Sequence, residues 1–400
     1  MKVILTGASG TIGKQLVPRL SAMGIELLLV GRCAERLKSL FPAEQCVAYD
    51  DLTKYDKDFD WLIHMAVQNN DATLSDHTFE ETNVTFYKSI LDIARANDVG
   101  GVVNFSSFHA LPDGPDTPYA ASKRKALQLS NSFPGLRVID LLLPPVYGSV
   151  FSGRLSVLHK LPRPMRSMGF AVISSLTPVV SINRICNFII SDLKYADVES
   201  PVLLADPKSE NKVYTHMKRG LDLVFASAVL LLFWWLLLAV WLVIKGTSKG
   251  PGIFAQTRIG KNQKPFTCYK FRTMTVGTDQ VGTHEVSSAS ITNIGRLLRK
   301  TKVDELPQVW NIFSGDISLV GPRPCLPTQQ ELIKSRQNRD VFSVLPGITG
   351  LSQVRNIDMS VPEQLSVSDA EYIARQSILL DLKIVVRTFL GQGQGDKVRV

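Results

Sequence analysis

Apolar positions along the chain fall into three regimes. Up to about residue 205, short apolar runs recur: "KVILT" at 2–6, "IELLLV" at 25–30, "WLIHMA" at 61–66, "GVVNFSS" at 101–107 and "RVIDLLL" at 137–143. Between them lie stretches with helical spacing, notably "FYKSILDIARAND" at 86–98 and "SKRKALQLSNSF" at 122–133. Strand-length runs alternating with helices predict an α/β fold, a Rossmann-like doubly wound parallel sheet. The second regime is "LVFASAVLLLFWWLLLAVWLVI" at 223–244, without a charge. As a helix it reaches about 33 Å, long enough to cross a bilayer core. The third regime predicts a mainly α domain beside the membrane. The expected organisation is a nucleotide-binding domain at 1–205, a linker at 206–217, a membrane helix at 218–245 and a second catalytic domain at 246–400.

Charge sharpens the division. The formal net charge is +9. Residues 1–212 hold 22 Lys and Arg against 22 Asp and Glu, whereas 213–400 hold 23 against 14. The whole excess lies with the apolar run, which favours anionic lipid headgroups and phosphorylated substrates. A nucleic-acid partner is the weaker reading and is not expected, because no basic patch interleaved with aromatics and no zinc-finger spacing is found. Five scattered cysteines, none in a C-x-x-C pair, argue against disulfides and structural zinc and fit a reducing cytosol. The start of the chain lacks the apolar core and cleavage site of a signal peptide.

Gly7, Gly10 and Gly13 follow the first strand and open a helix, where glycine permits a tight turn and close approach of a pyrophosphate. Tyr119 and Lys123 stand four apart and share a helix face. The ammonium can lower the phenol's pKa while Ser107, with Ser106 as a substitute, polarises a carbonyl. These residues resemble the extended short-chain dehydrogenase/reductase superfamily, the nucleotide-sugar epimerase, dehydratase and reductase branch. "TGASGTIG", "YAASK", "NFSS", Asp51–Leu52, "HMA", Asn83 and "LPPVYG" carry the likeness over residues 1–205. It implies a dinucleotide held by Gly7, Gly10, Gly13, Asp51 and Asn83, with Ser107, Tyr119 and Lys123 catalytic. The second strand ends in Gly31–Arg32 rather than an acid, and an arginine there suits a 2′-phosphate, so NADP(H) is the expected cofactor. Little more than sixty residues separate "VYGSV" from the apolar run, so the substrate lobe of that branch is abbreviated. Two readings stay open for this domain: an active keto-reductase, epimerase or dehydratase, or a non-catalytic docking module.

In "TKVDELPQ", Pro307 suits only a first helical turn, which makes Asp304 the expected N-cap and Glu305 the first helical residue. The helix terminus would keep Asp304 ionised and attract phosphate. An ionised carboxylate can attack activated phosphorus, and Glu305 can hold a divalent ion, expected to be Mg²⁺. "KRGLD", "YKFRTM", "DELPQVWN", "SLVGPRP", "PGITG" and "LDLKIVVRT" occur in order over 214–390 and resemble the bacterial sugar transferase family, the monotopic polyprenyl-phosphate glycosyl-1-phosphate transferases. The resemblance implies a nucleotide sugar (UDP-linked) as donor and polyprenyl, undecaprenyl, phosphate as acceptor. It also implies a covalent intermediate on Asp304, and Lys270, Arg272 and Arg323 on the phosphates. A structural ion pair is the alternative for either arginine, and a plain helix cap for Asp304. "ITNIGRLLRKTKV" at 291–303 reads equally as a helix in the membrane interface or as a packing helix.

Two cytosolic substrates want both domains on one side of the membrane. Lys218 and Arg219 precede the run and Lys245 and Lys249 follow it, so charge selects no orientation. The expectation is a re-entrant helix on the cytoplasmic face of a bacterial inner membrane, in contact with membrane lipids, although no proline breaks the run. A homodimer is neither required nor excluded.

Overall fold

The computed structural model describes residues 1–54, 58–68, 76–151, 153–193, 198–278 and 290–392. The chain divides into two compact units, residues 1–170 with 178–206, and residues 171–177 with 207–400.

The first unit is built on one seven-stranded sheet. Strands β1 (Lys2–Thr6), β2 (Glu26–Gly31), β3 (Gln45–Ala48), β4 (Trp61–His64), β5 (Val102–Ser107) and β6 (Val138–Leu143) are joined by a short last strand, Val202–Leu203. They lie in the order β3-β2-β1-β4-β5-β6 and then Val202–Leu203, every pair parallel. Successive side chains of a strand point to opposite faces. Val3, Leu5, Leu27, Leu29 and Ile63 accordingly enter one core cluster and Ile4, Leu28, Val30 and Leu62 another. Helix α1 (Gly13–Ala22) covers the first face through Leu16, Val17 and Leu20. The Phe86–Ala96 helix covers the second through Tyr87, Ile90, Leu91 and Ala94. A sheet buried on both faces explains why its strands read as near-continuous apolar runs.

The second unit is helical around small sheets. Its longest element, Lys212–Thr247, is one 36-residue helix containing the whole apolar run, capped by Asn211, whose side chain accepts from Tyr214 N. An antiparallel hairpin, Ile253–Ile259 with Pro265–Phe271, follows. Helix Asn293–Thr301 leads into a tight 3₁₀ turn, Val303–Gln308, and then the short helix Val309–Ser314. Strands Ser318–Val320 and Gly347–Thr349 pair in parallel, and helices Gln330–Asn338, Pro362–Arg375 and Ile378–Phe389 complete the unit.

Both ends of the long helix are fastened to this one unit. Near its start, Lys218 Nζ pairs with Asp381 at 2.6 Å and donates to Val320 O at 2.9 Å. Asp222 accepts from Ser318 Oγ and Leu319 N, and Arg219 donates to Ile312 O at 2.6 Å. Near its end, Ile244 is buried with Phe271 and Leu298, and Arg272 donates to Ser248 O at 3.0 Å. Between these anchors, each residue from Leu231 to Trp235 is exposed, so all sides of the helix are bare there.

Candidate active sites

In the first unit the glycine turn is built as the spacing requires. Gly7 sits at φ +79°, and a Cβ on it would lie 2.5 Å from the carbonyl carbon of Met65. A Cβ on Gly13 would meet Ala8 O at 2.4 Å. Gly10 differs: a Cβ there would approach only Gly7 O, at 3.2 Å, so its outer side is open. Two glycines therefore allow close packing of turn, helix and sheet, and the third leaves a cradle that a side chain would fill. The residues fit a dinucleotide pyrophosphate.

Tyr119 is the second residue of the Pro118–Ser130 helix, whose cap Thr117 accepts from Ala120 N. Its ring meets Phe79 and His109 edge-on at centroid distances of 5.9 and 5.7 Å. Ser107 ends β5, and its Oγ accepts from His109 N at 3.3 Å. Lys123, one helical turn beyond Tyr119, has Nζ 6.0 Å from the Tyr119 ring centre and donates to Phe105 O at 3.4 Å. The end of β5 and the start of one helix thus gather the three predicted residues. Burial pulls the Lys123 ammonium down to about 7, opposed by the charge of Asp140. Burial also pushes the Asp140 carboxyl up to about 6, against hydrogen bonds from Asn104 and Ser130. Asp140 is a site residue that pattern reading missed, because it sits mid-strand in "RVIDLLL" with no motif around it.

The other predicted cofactor residues behave differently. Asn83 is buried and occupied: its Oδ1 accepts from Gln68 N at 2.9 Å and its Nδ2 donates to Ser122 Oγ at 3.0 Å. It braces the segment after β4. Asp51 lies half-exposed in the 3₁₀ turn after β3. Arg32 is exposed one residue beyond β2. Its charge is felt at Tyr49, whose phenol burial raises to about 12 against the lowering effects of Thr6 and Arg32.

In the second unit Asp304 and Glu305 lie within the Val303–Gln308 turn. The expected N-cap geometry is corrected here: the capping position is Lys302, in the left-handed region at φ 58°, and Asp304 is the second residue of the turn. Lys302 ends the preceding helix and reverses the chain, and the tighter 3₁₀ turn accommodates Pro307. Glu305 Oε1 pairs with Lys270 Nζ at 2.7 Å and Arg323 at 2.9 Å, all three side chains largely buried. Asp304 is 9% exposed. Burial and the neighbouring Glu305 raise its carboxyl, against the charges of Lys270, Arg299 and Arg323. Glu305, despite its burial, is held far below the carboxylate range by Arg323 and Lys270. The pair is thus split into one low and one raised carboxyl.

Several contacts hold this turn in place. Asn311 accepts from Tyr269 N at 3.1 Å and donates to Thr267 O at 2.7 Å, fixing the Val309–Ser314 helix to the edge of the hairpin. Arg336 NH1 donates to Arg323 O at 2.8 Å, and Arg258 donates to Pro324 O at 3.0 Å, which braces the "GPRP" loop. Val303 packs in the cluster with Leu237, Val240 and Ile244, and Leu306 in the cluster with Ala226 and Val229. The two acids therefore lie between residues that each reach the long helix.

Arg272 is not brought to this turn. It is buried and directed at Ser248, beside the end of the long helix. Arg299 takes a place the motif reading left empty: its Nε donates to Thr273 Oγ1 at 2.9 Å, and its charge acts on Asp304. Glu305 does not fit a resident divalent ion, because its carboxylate already faces two cations that would repel a third positive charge. Among the described residues no group of three or more His, Cys, Asp or Glu could hold a metal.

Comparison with known proteins follows this division. The bacterial sugar transferase family matches residues 213–393, and the NAD dependent epimerase/dehydratase family matches residues 3–170. An uncharacterized sugar transferase EpsL of Bacillus subtilis is 40% identical over 172 residues, which cover 43% of this chain and 85% of that protein. The chain belongs to the bacterial sugar transferase family. Another sugar transferase relative, the UDP-glucose:undecaprenyl-phosphate glucose-1-phosphate transferase of Caulobacter vibrioides, is 39% identical over 180 residues, 43% of this chain and 67% of its own length. Others are matched over much less, as with the N-acetylgalactosaminephosphotransferase of Aeromonas hydrophila, 35% identical over 187 residues and 43% of its length. Among solved structures, UDP-N-acetylglucosamine 4-epimerase from Bacillus cereus superposes with a TM-score of 0.42 at 17% identity, over 52% of this chain and 78% of that one. This sugar transferase thus carries its transferase region behind an epimerase/dehydratase domain.

Proposed function

We propose that the second unit transfers a sugar 1-phosphate from a UDP-sugar to undecaprenyl phosphate through a covalent intermediate on Asp304. The Asp304 carboxylate attacks the sugar-bearing phosphorus, the bond to the nucleoside monophosphate breaks, and that monophosphate leaves. An oxygen of the lipid phosphate then attacks the same phosphorus and releases Asp304. Lys270, Arg323 and Arg299 offset the charge that gathers on the phosphate oxygens. Glu305 holds Lys270 and Arg323 in position. Glu305 is taken up by these two cations, so any Mg²⁺ would be held by the diphosphate itself and would offset its charge there. The observation that carries this reading is the split carboxyl pair, ringed by cations and set between two residues packed on the apolar helix. The relatives' names supply the UDP-sugar and undecaprenyl phosphate.

The long helix enters and leaves on the cytoplasmic face of the bacterial inner membrane, making the protein monotopic. Two observations support this: both helix ends are fastened to one compact unit, and the stretch 231–235 between them is bare on every side. Lipid contact at that stretch would replace the missing protein contact.

The first unit reduces a keto group on a nucleotide-linked sugar with NADP(H). Tyr119 gives its proton to the carbonyl oxygen, Ser107 donates a hydrogen bond to it, and Lys123 stabilises the resulting phenolate and holds the ribose. A bound nicotinamide supplies the hydride. Arg32 favours the 2′-phosphate. The family of residues 3–170 favours a second reading, epimerisation or dehydration with NAD, on the same three residues. Incubation of the full chain with radiolabelled UDP-sugars and undecaprenyl phosphate should move label into the organic phase and release UMP. Loss of transfer in Asp304→Asn, with donor binding kept, is expected; transfer at the normal rate in that variant would refute the proposal.

A further inference from the structure

Four polar side chains cross the middle of the first unit's sheet in one row. Thr6 pairs with His64, His64 with Asn104 and Asn104 with Asp140, on the adjacent strands β1, β4, β5 and β6. All four are buried. Two residues back on each strand, Ile4, Leu62, Val102 and Val138 belong to or pack on the core beneath the Phe86–Ala96 helix, so the row points to that face. Lys123, Ala126 and Ser130, spaced three and then four apart, line the buried side of the Pro118–Ser130 helix, and Ala126 lies in the same core. The lysine and the row therefore share one face of the sheet.

Hydrogen bonds fix the row. Asp140 Oδ1 accepts from Asn104 Nδ2 at 2.7 Å and from Ser130 Oγ at 3.0 Å, and the Tyr87 hydroxyl stands 2.9 Å from Ser130 Oγ. Thr6 Oγ1 lies 2.9 Å from His64 Nδ1, and the His64 ring stacks on Tyr87. Lys123 Nζ meets the same register at Phe105 O, one residue beyond Asn104. The titratable groups around Lys123 and the row are His64 on β4, Asp140 on β6, Tyr87 on the covering helix, His109 after β5 and Tyr119 on its own helix. Burial and the Lys123 charge pull the His64 imidazole down to about 3, so it stays neutral. Burial and the charge of Asp140 push the Tyr87 phenol up, so it keeps its proton. The standing negative charge beside Lys123 is therefore that of Asp140. Replacing charges this deep by apolar side chains of similar volume is often neutral or stabilising, so packing alone gives no reason to keep them.

We infer that Asp140, fixed by Asn104 and Ser130, is a positioning residue for Lys123: its carboxylate keeps the ammonium charged inside the sheet, where Lys123 steadies the Tyr119 phenolate. The inference rests on the reading of Lys123 as the partner of Tyr119 and of the nicotinamide ribose. Asp140 itself touches neither substrate nor cofactor in this account and acts through the lysine.

The test compares the full chain, Asp140→Asn and Ser130→Ala in nanodiscs, each with and without Lys123→Met. Thermal melts are recorded between pH 5 and 10, and subtracting the Lys123→Met melt isolates the part of the profile that Lys123 supplies. In the parent this part rises with pH from about 7, where the folded ammonium gives up its proton before the unfolded one does. In Asp140→Asn the onset should move down by about one pH unit or more, because a nearby opposite charge is worth about 1–3 units. Ser130→Ala leaves both charges in place and removes one hydrogen bond to the carboxylate, so it should move the onset the same way by less. An onset unmoved in both variants would make Asp140 a merely structural group and overturn the inference. Affinity for reduced dinucleotide, NADPH or NADH, followed by its fluorescence, is the second readout. In Asp140→Asn it should weaken about threefold or more near pH 8 and match the parent near pH 5, where the Asp140 carboxyl, raised to about 6, is protonated in the parent too. Equal weakening at both pH values would also overturn the inference. Binding of neither dinucleotide by the parent would overturn the reading of the site, and the positioning role with it.

Discussion

Asp369→Asn is the sharpest test of how the "GPRP" loop is held. Asp369 and Arg336 are 2% exposed each, and Arg336 donates through Nε at 3.0 Å and NH2 at 2.6 Å to one Asp369 oxygen. The other oxygen accepts from Ser352 Oγ at 2.7 Å. Removing one charge strands the guanidinium in a dry interior, which costs about 3–5 kcal/mol. For a unit of roughly 200 residues, each kcal/mol lowers the melting temperature by about 2–4 °C, so a drop of about 6–20 °C is expected. Differential scanning fluorimetry in nanodiscs measures it. Function separates from stability in the double variant Arg336→Met, Asp369→Leu. Replacing a buried pair by apolar groups of similar volume is often neutral or stabilising, so the melting temperature should return. The hydrogen bond from Arg336 NH1 to Arg323 O is still lost, and the "GPRP" loop loses a brace. Transfer should therefore stay reduced, about tenfold, a difference of about 1.4 kcal/mol in transition-state stabilisation. A single variant that melts within 2 °C of the parent, or a double variant with full activity, would refute the reasoning.

Three further outcomes are expected. Asp304 must be ionised to attack, and its carboxyl is raised, so the acid limb of the pH–rate profile should lie above the ordinary aspartate value of about 3.9; a limb at or below that value in a titration of initial rates contradicts the assignment. Lys123 is held near 7, so between there and the usual lysine value the folded unit binds fewer protons than the unfolded chain and gains stability as pH rises; Lys123→Met should flatten that slope in melts between pH 7 and 10, and an unchanged slope speaks against it. Gly7→Ala and Gly24→Ala both force alanine to φ +79°, but only Gly7 faces backbone at 2.5 Å, whereas Gly24 has nothing within 4 Å. The Gly24 variant should lose about 1–2 kcal/mol in denaturant titrations and keep dinucleotide binding, while the Gly7 variant should lose more and bind none.

Much of this was legible because the chemistry is local in sequence. Alternation of apolar runs and helical spacing marks a parallel sheet, and Ser107, Tyr119 and Lys123 lie within seventeen residues on one strand end and one helix. Asp304, Glu305, Lys270 and Arg323 are readable from motifs, and Lys270 and Arg323 share one oxygen of Glu305. What escaped depends on tertiary contact. The spacing of "TKVDELPQ" suggests a capped helix, but a left-handed Lys302 turns the chain first. Arg272 shares a motif with Lys270, yet the C-terminal end of the long helix recruits it through Ser248. Arg299 lies in a stretch that reads equally as an interfacial or a packing helix, and only the contact with Thr273 reveals which side it takes. That helix divides between its two readings: Leu298 is buried with Ile244, while Leu297 is 61% exposed.

Residues 171–177 sit with the second unit although some thirty residues of the first separate them from it in the chain. Dissecting the protein at residue 206 would thus orphan Lys208 and Asn211 from the carbonyls they now serve, and leave a transferase fragment with an uncovered helix start. Separately produced halves should be poor stand-ins for the intact polypeptide, and a fragment boundary that retains 171–177 by circular rearrangement is the sounder route to an isolated enzyme.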